Sequence, residues 1–268
     1  MGRLRRSGGI IAVVKPGTSS PRATRAGAAL IALALGAVGA PAQEPLRPLP
    51  KTKDAVRVLL VTGGHDHDLS FYSVLDGQDD LDVRVDPHPN AFRGKVSPGR
   101  DADVVVLYDM PEAMAPEQET HLRGFVEAGG GLVALHHAIA GRSGWRWWGE
   151  EVIGGRYLAA PEGARAASTY KHDVELTVRV AAGHPVVAGL QTFRILDETY
   201  KGMWISPGVT VLLTTDEATS DGPVAWVSPY PKARVVYVQL GPGREAHLHP
   251  SYRRLVRNAV LWAARRTP

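Results

Sequence analysis

Histidines and carboxylates gather at a few places in this chain of 268 residues, and their spacing suits proton transfer near neutral pH. Gly63-Gly64-His65-Asp66-His67-Asp68 alternates imidazole with carboxylate, His136-His137 sets two imidazoles side by side, and Asp197-Glu198-Thr199-Tyr200 joins two carboxylates to a phenol. An imidazole takes up a proton, gives one up or binds a metal close to pH 7, so a cluster says more than any single histidine. His136 and His137 are the candidate bases, with Glu198 or Asp197 as acid or partner. His65, Asp109, Tyr200 and His184 are candidates for holding substrate. Trp148, in a segment with Trp145 and Trp147, offers a flat ring for stacking on a sugar. His65 and His67 also have the spacing of metal ligands, since alternate residues of an extended loop point the same way, and imidazole with carboxylate suits zinc. A third ligand from His136 or His137 would leave one position open for catalysis. Taken singly, each histidine reads equally well as a polar residue satisfying loop backbone, and Asp197-Glu198 as a surface turn.

The elements that must position these groups are legible in the apolar pattern. Val56 to Val61 is apolar except for Arg57 and ends in Thr62-Gly63-Gly64, as a strand buried on both faces does before a loop. Leu69 to Leu75 suits a short helix, Leu81 to Val85 an outer strand, and Ala102 to Tyr108 a second buried strand ending at Asp109. Pro116-Glu117-Gln118-Glu119 opens a helix running to Ala128, with proline in its first turn and acids facing the positive end of the dipole. Gly129-Gly130-Gly131 stops it, and the strand Leu132 to Leu135 runs directly into His136-His137. This alternation predicts an α/β fold, a doubly wound parallel sheet with helices on both faces. In such a sheet, loops at the carboxyl ends of the strands converge on a crevice where ligands bind, which is where His65, Asp109 and His136-His137 fall.

After about residue 170 the pattern turns strand-rich: Val174 to Val180, Phe193 to Leu196, Val209 to Thr214, Val224 to Val227 and Val235 to Leu240. Pro229-Tyr230-Pro231-Lys232 reads as a hairpin connection. Pro250 to Arg265 reads as an amphipathic helix with Leu255, Ala259 and Trp262 on one face.

Residues 1–42 hold six basic residues and no acid, an apolar run from Ala26 to Val38, and Ala40-Pro41-Ala42. They read as a signal peptide cleaved before Gln43, the apolar run being well short of the roughly 20 residues of a membrane span. Residues 43–53 form a proline-rich tether, and 54–268 a single α/β domain. Cleavage turns the formal net charge from +4 to −2, so the basic character belongs to the leader and nucleic acid is not an expected partner. The expected location is periplasmic or extracellular, with no membrane association after cleavage. The chain has no cysteine, which excludes disulfides, zinc-thiolate sites and a cysteine nucleophile.

In order along the chain, Val61-Thr62-Gly63-Gly64-His65, the stretch from Gly129-Gly130-Gly131 to His136-His137-Ala138, Ile153-Gly154-Gly155-Arg156-Tyr157, His184-Pro185-Val186-Val187, Asp197-Glu198-Thr199-Tyr200 and the run from Arg234 to Gly241 resemble the ThuA-like family, named for trehalose utilisation. The resemblance implies a flavodoxin-like sheet similar to that of class I glutamine amidotransferases. In those relatives the strand matching Leu132 to Leu135 ends in a sharp turn bearing the cysteine nucleophile, where this chain has His136-His137. Glutamine hydrolysis through a thioester is therefore closed to it. Members often read Leu-Gly-His after the last strand; here Leu240-Gly241 is followed by Pro242, leaving His247 or His249 as substitutes. The resemblance implies a small carbohydrate ligand and sugar metabolism, of keto-disaccharides or glycosides. Three functional readings follow: an exported carbohydrate enzyme using histidine and carboxylate, as isomerase, lyase or hydrolase; a non-catalytic carbohydrate-binding module; and a metal-dependent hydrolase of amides or esters.

Overall fold

Continuous valine and leucine runs put the parallel strands at the centre, where both faces of the sheet are covered. The computed structural model describes residues 52–268; the expected signal peptide and all but the last two residues of the tether lie outside them. The strands are β1 (Val56–Gly63), β2 (Leu81–Val85), β3 (Val104–Asp109), β4 (Gly131–Leu135), β5 (Gly155–Arg156), β6 (Thr169–Val180), β7 (Phe193–Lys201), β8 (Trp204–Ile205), β9 (Thr210–Thr214), β10 (Pro223–Val227) and β11 (Val235–Val238). The α-helices are α1 (Pro116–Glu127), α2 (Arg244–His247) and α3 (Pro250–Ala263). Among the described residues no helix is long and apolar enough to cross a membrane.

Nine strands form one sheet in the order β2-β1-β3-β4-β11-β10-β9-β6-β7, and β5 pairs separately with β8. The first five are parallel neighbours, in the flavodoxin-like order. Alternation along the central strands divides the core. Val104, Val106, Val133 and Leu135 face α3 through Leu255, Val256 and Ala259, whereas Val105, Leu107, Leu132 and Ala134 face α1 through Leu122, Phe125 and Val126. A helix thus covers each face, as the pattern predicts. The connection from β1 to β2 is only a 3-10 turn, Leu69–Val74, capped by the Asp68 carboxylate accepting from the Ser70 amide.

The strand-rich second half continues the same sheet in antiparallel fashion, with β10 returning along β11 across the expected hairpin. One reading needs correcting. The segment Asp197-Glu198-Thr199-Tyr200 does not follow a strand but lies inside β7, all four residues buried. And β6 joins β9 through only two residue pairs, Arg179 with Thr214 and Val180 with Leu213, so the rest of the β6–β7 ribbon leaves the sheet. It arches over the carboxyl ends of β4 and β11, where the Gly241 amide donates to Asp197 Oδ2 at 3.1 Å and Gln239 Nε2 donates to the Glu198 carbonyl at 3.3 Å.

Candidate active site

The site begins with the turn that ends β4. His136 adopts φ +49, in the left-handed region that a non-glycine residue occupies only when its surroundings hold it there. Two contacts do so: its Nδ1–H donates to the Gln239 carbonyl at 2.7 Å, and Tyr237 Oη donates to its own carbonyl at 3.0 Å. Strand alternation would send the two neighbouring imidazoles to opposite faces. The sharp turn instead leaves both rings at the crevice, 5.2 Å apart and steeply inclined.

With Nδ1 committed to Gln239, the Nε2 of His136 is an acceptor. Tyr200 Oη lies 3.3 Å from it, and Glu198 Oε2 lies 4.0 Å away, beyond direct hydrogen bonding. Burial, with His137 close by, holds the His136 imidazole well below its ordinary value. His137 hydrogen-bonds the Tyr108 backbone, packs on the Tyr108 ring at 4.5 Å and lies beneath the His65 ring at 4.9 Å. Its Nε2 is buried with no hydrogen-bond partner, so the backbone bond uses Nδ1. Burial first, and the neighbouring His65 second, push its pKa down to about 4. The Nε2 lone pairs of His136 and His137 are both therefore available at neutral pH.

Glu198 supplies the opposite tendency. Burial raises its carboxyl above the ordinary range, against the pull of His172, whose Nδ1–H donates to Oε2 at 2.7 Å. Asp197 faces away from this group. Its carboxylate accepts from the amides of Glu198 at 2.8 Å and Gly241 at 3.1 Å, and burial raises its carboxyl well above the usual range. It holds the ribbon to the turn after β11, which places Glu198.

The structure clusters His65, His136, His137, Glu198 and Tyr200 at the carboxyl end of β4, and separates the other candidates from them. Asp109 is fully buried in an ion pair with Arg142 and accepts from His88 Nε2 at 2.7 Å, so its oxygens are occupied inside the protein. Trp148 is buried, with Trp145 stacked on it and the Arg142 guanidinium 5.3 Å from its ring, and offers no open face. His184 caps the turn Pro185–Val187 and packs against Trp262, beside Arg234 at the amino end of β11. That is the amino-terminal end of the parallel strands, opposite the carboxyl end where His136 lies.

The geometry does not assemble the ligand set that the His65 and His67 spacing suggests. His65 Nδ1 bonds the Asp66 carbonyl at 2.5 Å, and His67 Nε2 turns to Tyr72 Oη at 3.3 Å. Among the described residues, no three His, Asp or Glu side chains converge as a zinc site would need.

Several contributors were not singled out from sequence. His172, Tyr108, Arg142 and His88 lie in no motif, and Gln239 carries no role of its own within the run from Arg234 to Gly241. Of the two substitutes after Gly241-Pro242, His247 is the one that returns to the turn, with Nε2 3.1 Å from the Gly241 carbonyl and 3.2 Å from Tyr108 Oη, and Nδ1 2.8 Å from Ser70 Oγ. His249 caps α3 and packs on Phe193.

Buried neutral histidines leave a mark on acid stability. The unfolded chain binds a proton at His137 near pH 6.5, the folded one only near pH 4, so the unfolded state holds more protons between those values and stability falls as pH drops through them. By pH 4 the loss amounts to about 3 kcal/mol. Urea unfolding at pH 7 and pH 4.5 is expected to show it, and His137→Leu to flatten the dependence. Parallel pH profiles for the two proteins would refute the burial of a neutral ring.

Strand order, crevice and the sharp turn after β4 put the molecule among flavodoxin-like α/β proteins built like class I glutamine amidotransferases. Within that class the chain belongs to the ThuA family, described by trehalose utilisation, whose family model matches residues 57–263. Membership implies a role in trehalose utilisation. Among solved structures, a ThuA-like protein from Parabacteroides merdae ATCC 43184 is similar at TM-score 0.67 and 21% identity, over 80% of this chain and 91% of that one. A second, from Bacteroides uniformis ATCC 8492, reaches 0.60 and 19%, over 84% and 95%. A cytoplasmic protein from Salmonella typhimurium reaches 0.54 and 14%, over 78% and 99%. No curated protein sequence matches significantly.

Proposed function

We propose that the chain is an exported enzyme acting on a carbohydrate that carries a carbonyl, a keto-disaccharide or keto-glycoside, by proton transfer at the neighbouring carbon. The observation that carries this reading is the opposed tuning of groups in one crevice: a carboxyl raised by burial beside imidazoles lowered by burial, the pattern of a paired acid and base. In this reading the unpartnered Nε2 of His137 removes the proton, the electron pair of that C–H bond moves into an enediol, and Glu198 delivers its proton to oxygen. Tyr200 donates its phenolic O–H to the reacting oxygen, and the Nε2 of His136 accepts from a neighbouring substrate hydroxyl. Return of the proton to the adjacent carbon gives an isomerase. Alternatively the enediol collapses, returning its O–H proton to Glu198, which passes it to the expelled glycosidic oxygen β to the carbonyl, and this gives a lyase.

The binding-module alternative relied on tryptophans as platforms, and Trp148 is buried while Trp147 is covered by Arg123 at 3.7 Å. Incubation of the protein with a 3-keto-disaccharide in D2O tests the reading. Deuterium is expected at the carbon next to the carbonyl, seen by NMR; calorimetric binding with no exchange would turn the assignment over to a binding protein. Export rests on the basic and apolar leader ending at Ala42, and N-terminal sequencing of the exported protein, expected to begin at Gln43, checks it.

A further inference from the structure

Glu198 sits at the buried end of a line whose other end reaches solvent. Its side chain is 9% exposed, while that of His172, 2.7 Å away, is 64% exposed. The strand pairing shows how the contact is made. Lys171 pairs with Thr199 and Val174 with Asp197, so His172 and Asp173 together stand opposite the single residue Glu198. This is a β-bulge, with Asp173 at φ +54, and bulges of this kind turn a side chain out of the regular alternation. Here the turned side chain is His172, and it lands on the carboxylate. On its other side His172 lines a cavity of about 290 Å³ together with Asp173, Asp197, Pro242, Gly243 and Glu245.

We infer that His172 is a proton relay for Glu198, carrying protons between this open cavity and the buried carboxyl. The inference rests on the acid role proposed for Glu198. Once Glu198 has given its proton to the substrate oxygen, it is a carboxylate with no direct hydrogen bond to either crevice imidazole. Neutral His172, with its proton on Nδ1, takes up a proton from solvent at Nε2 as it passes the Nδ1 proton to Oε2, so one proton enters for each one delivered, and exchange of the ring proton from Nε2 back to Nδ1 through water resets the relay. Charge around the pair comes from every side of the arch: His136 from the end of β4, His65 from the loop after β1, Tyr200 from β7, Tyr170 and Asp173 from β6, and Glu245 from α2. Imidazole is the side chain suited to this traffic. His172 does not touch substrate; it acts through Glu198.

The test uses the mature protein with His172→Gln and His172→Ala, substitutions at an exposed position. Turnover of the keto-disaccharide is expected to fall about a hundredfold, the lower end of what positioned proton transfer contributes, with KM little changed. Added imidazole should restore His172→Ala in a saturable way, and wild-type turnover should not depend on buffer concentration. A role in merely steadying β6 would not respond to imidazole. Unchanged turnover in both variants, or a loss that imidazole does not restore, overturns the relay. Glu198→Gln measured alongside separates the two claims: an inactive Glu198→Gln with fully active His172 variants removes the relay alone, whereas an active Glu198→Gln removes the acid role and the relay with it.

Discussion

Glu198→Gln is expected to lower kcat on a keto-sugar by about 10²- to 10⁴-fold, the range contributed by a positioned general acid or base. The substitution keeps the size of the side chain and leaves an oxygen to accept from His172, so the ribbon stays in place. It removes the proton that Glu198 delivers. Because His136 stands 4.0 Å from the carboxylate and makes its firm hydrogen bond to the Gln239 carbonyl, it does not depend on Glu198 for its orientation. Substrate affinity measured calorimetrically should therefore change far less than turnover. Single-turnover kinetics read the chemical step directly, and a rate within threefold of the wild type would remove Glu198 from the chemistry.

Arg142→Met is expected to cost about 3–5 kcal/mol of stability, the penalty for leaving a buried charge without its partner. Both side chains of the Arg142–Asp109 pair are fully enclosed. Arg142 also directs Nε to Met114 Sδ at 2.9 Å and sits at φ +58, a conformation its neighbours must enforce. Adding Asp109→Asn to Arg142→Met should recover part of the loss, since a neutral amide still accepts from His88. The guanidinium and His88 hold the Asp109 carboxyl below its ordinary value against the cost of burial. A depressed folded pKa means that its contribution is complete above the unfolded value of about 3.9 and is lost as pH falls through the folded one. Urea midpoints of the single and double variants measure the coupling, and a loss under about 1 kcal/mol for Arg142→Met would show the pair to be dispensable.

Sequence pattern carried the parallel half of the fold well, for a physical reason. β1, β3 and β4 are buried on both faces, so each is a nearly pure apolar run ending where the chain becomes polar, and the residue at that end lies in the crevice. His65 and His136-His137 were found by that logic. The same logic misplaced Asp109, because a carboxylate at a strand end looks the same whether it faces a ligand or a buried arginine 33 residues further on. It left a surface turn at Asp197-Glu198 standing beside the catalytic reading because polar residues suggest exposure; here amide donors from Glu198 and Gly241 make burial of Asp197 tolerable. His172 was invisible for a different reason. A bulge is a property of pairing between two strands, and the sequence of one strand does not display it.

The attachment of the ribbon also bears on how this site can change. Its two buried imidazoles ride on the parallel sheet, and its carboxyl, phenol and exposed imidazole ride on a hairpin joined to that sheet by two residue pairs. Insertions, deletions or a slipped pairing in the hairpin would therefore exchange the Glu198 and Tyr200 half of the site as a cassette. The scaffold that strains His136 into its turn would be left untouched, so new substrates can be sampled without rebuilding the core.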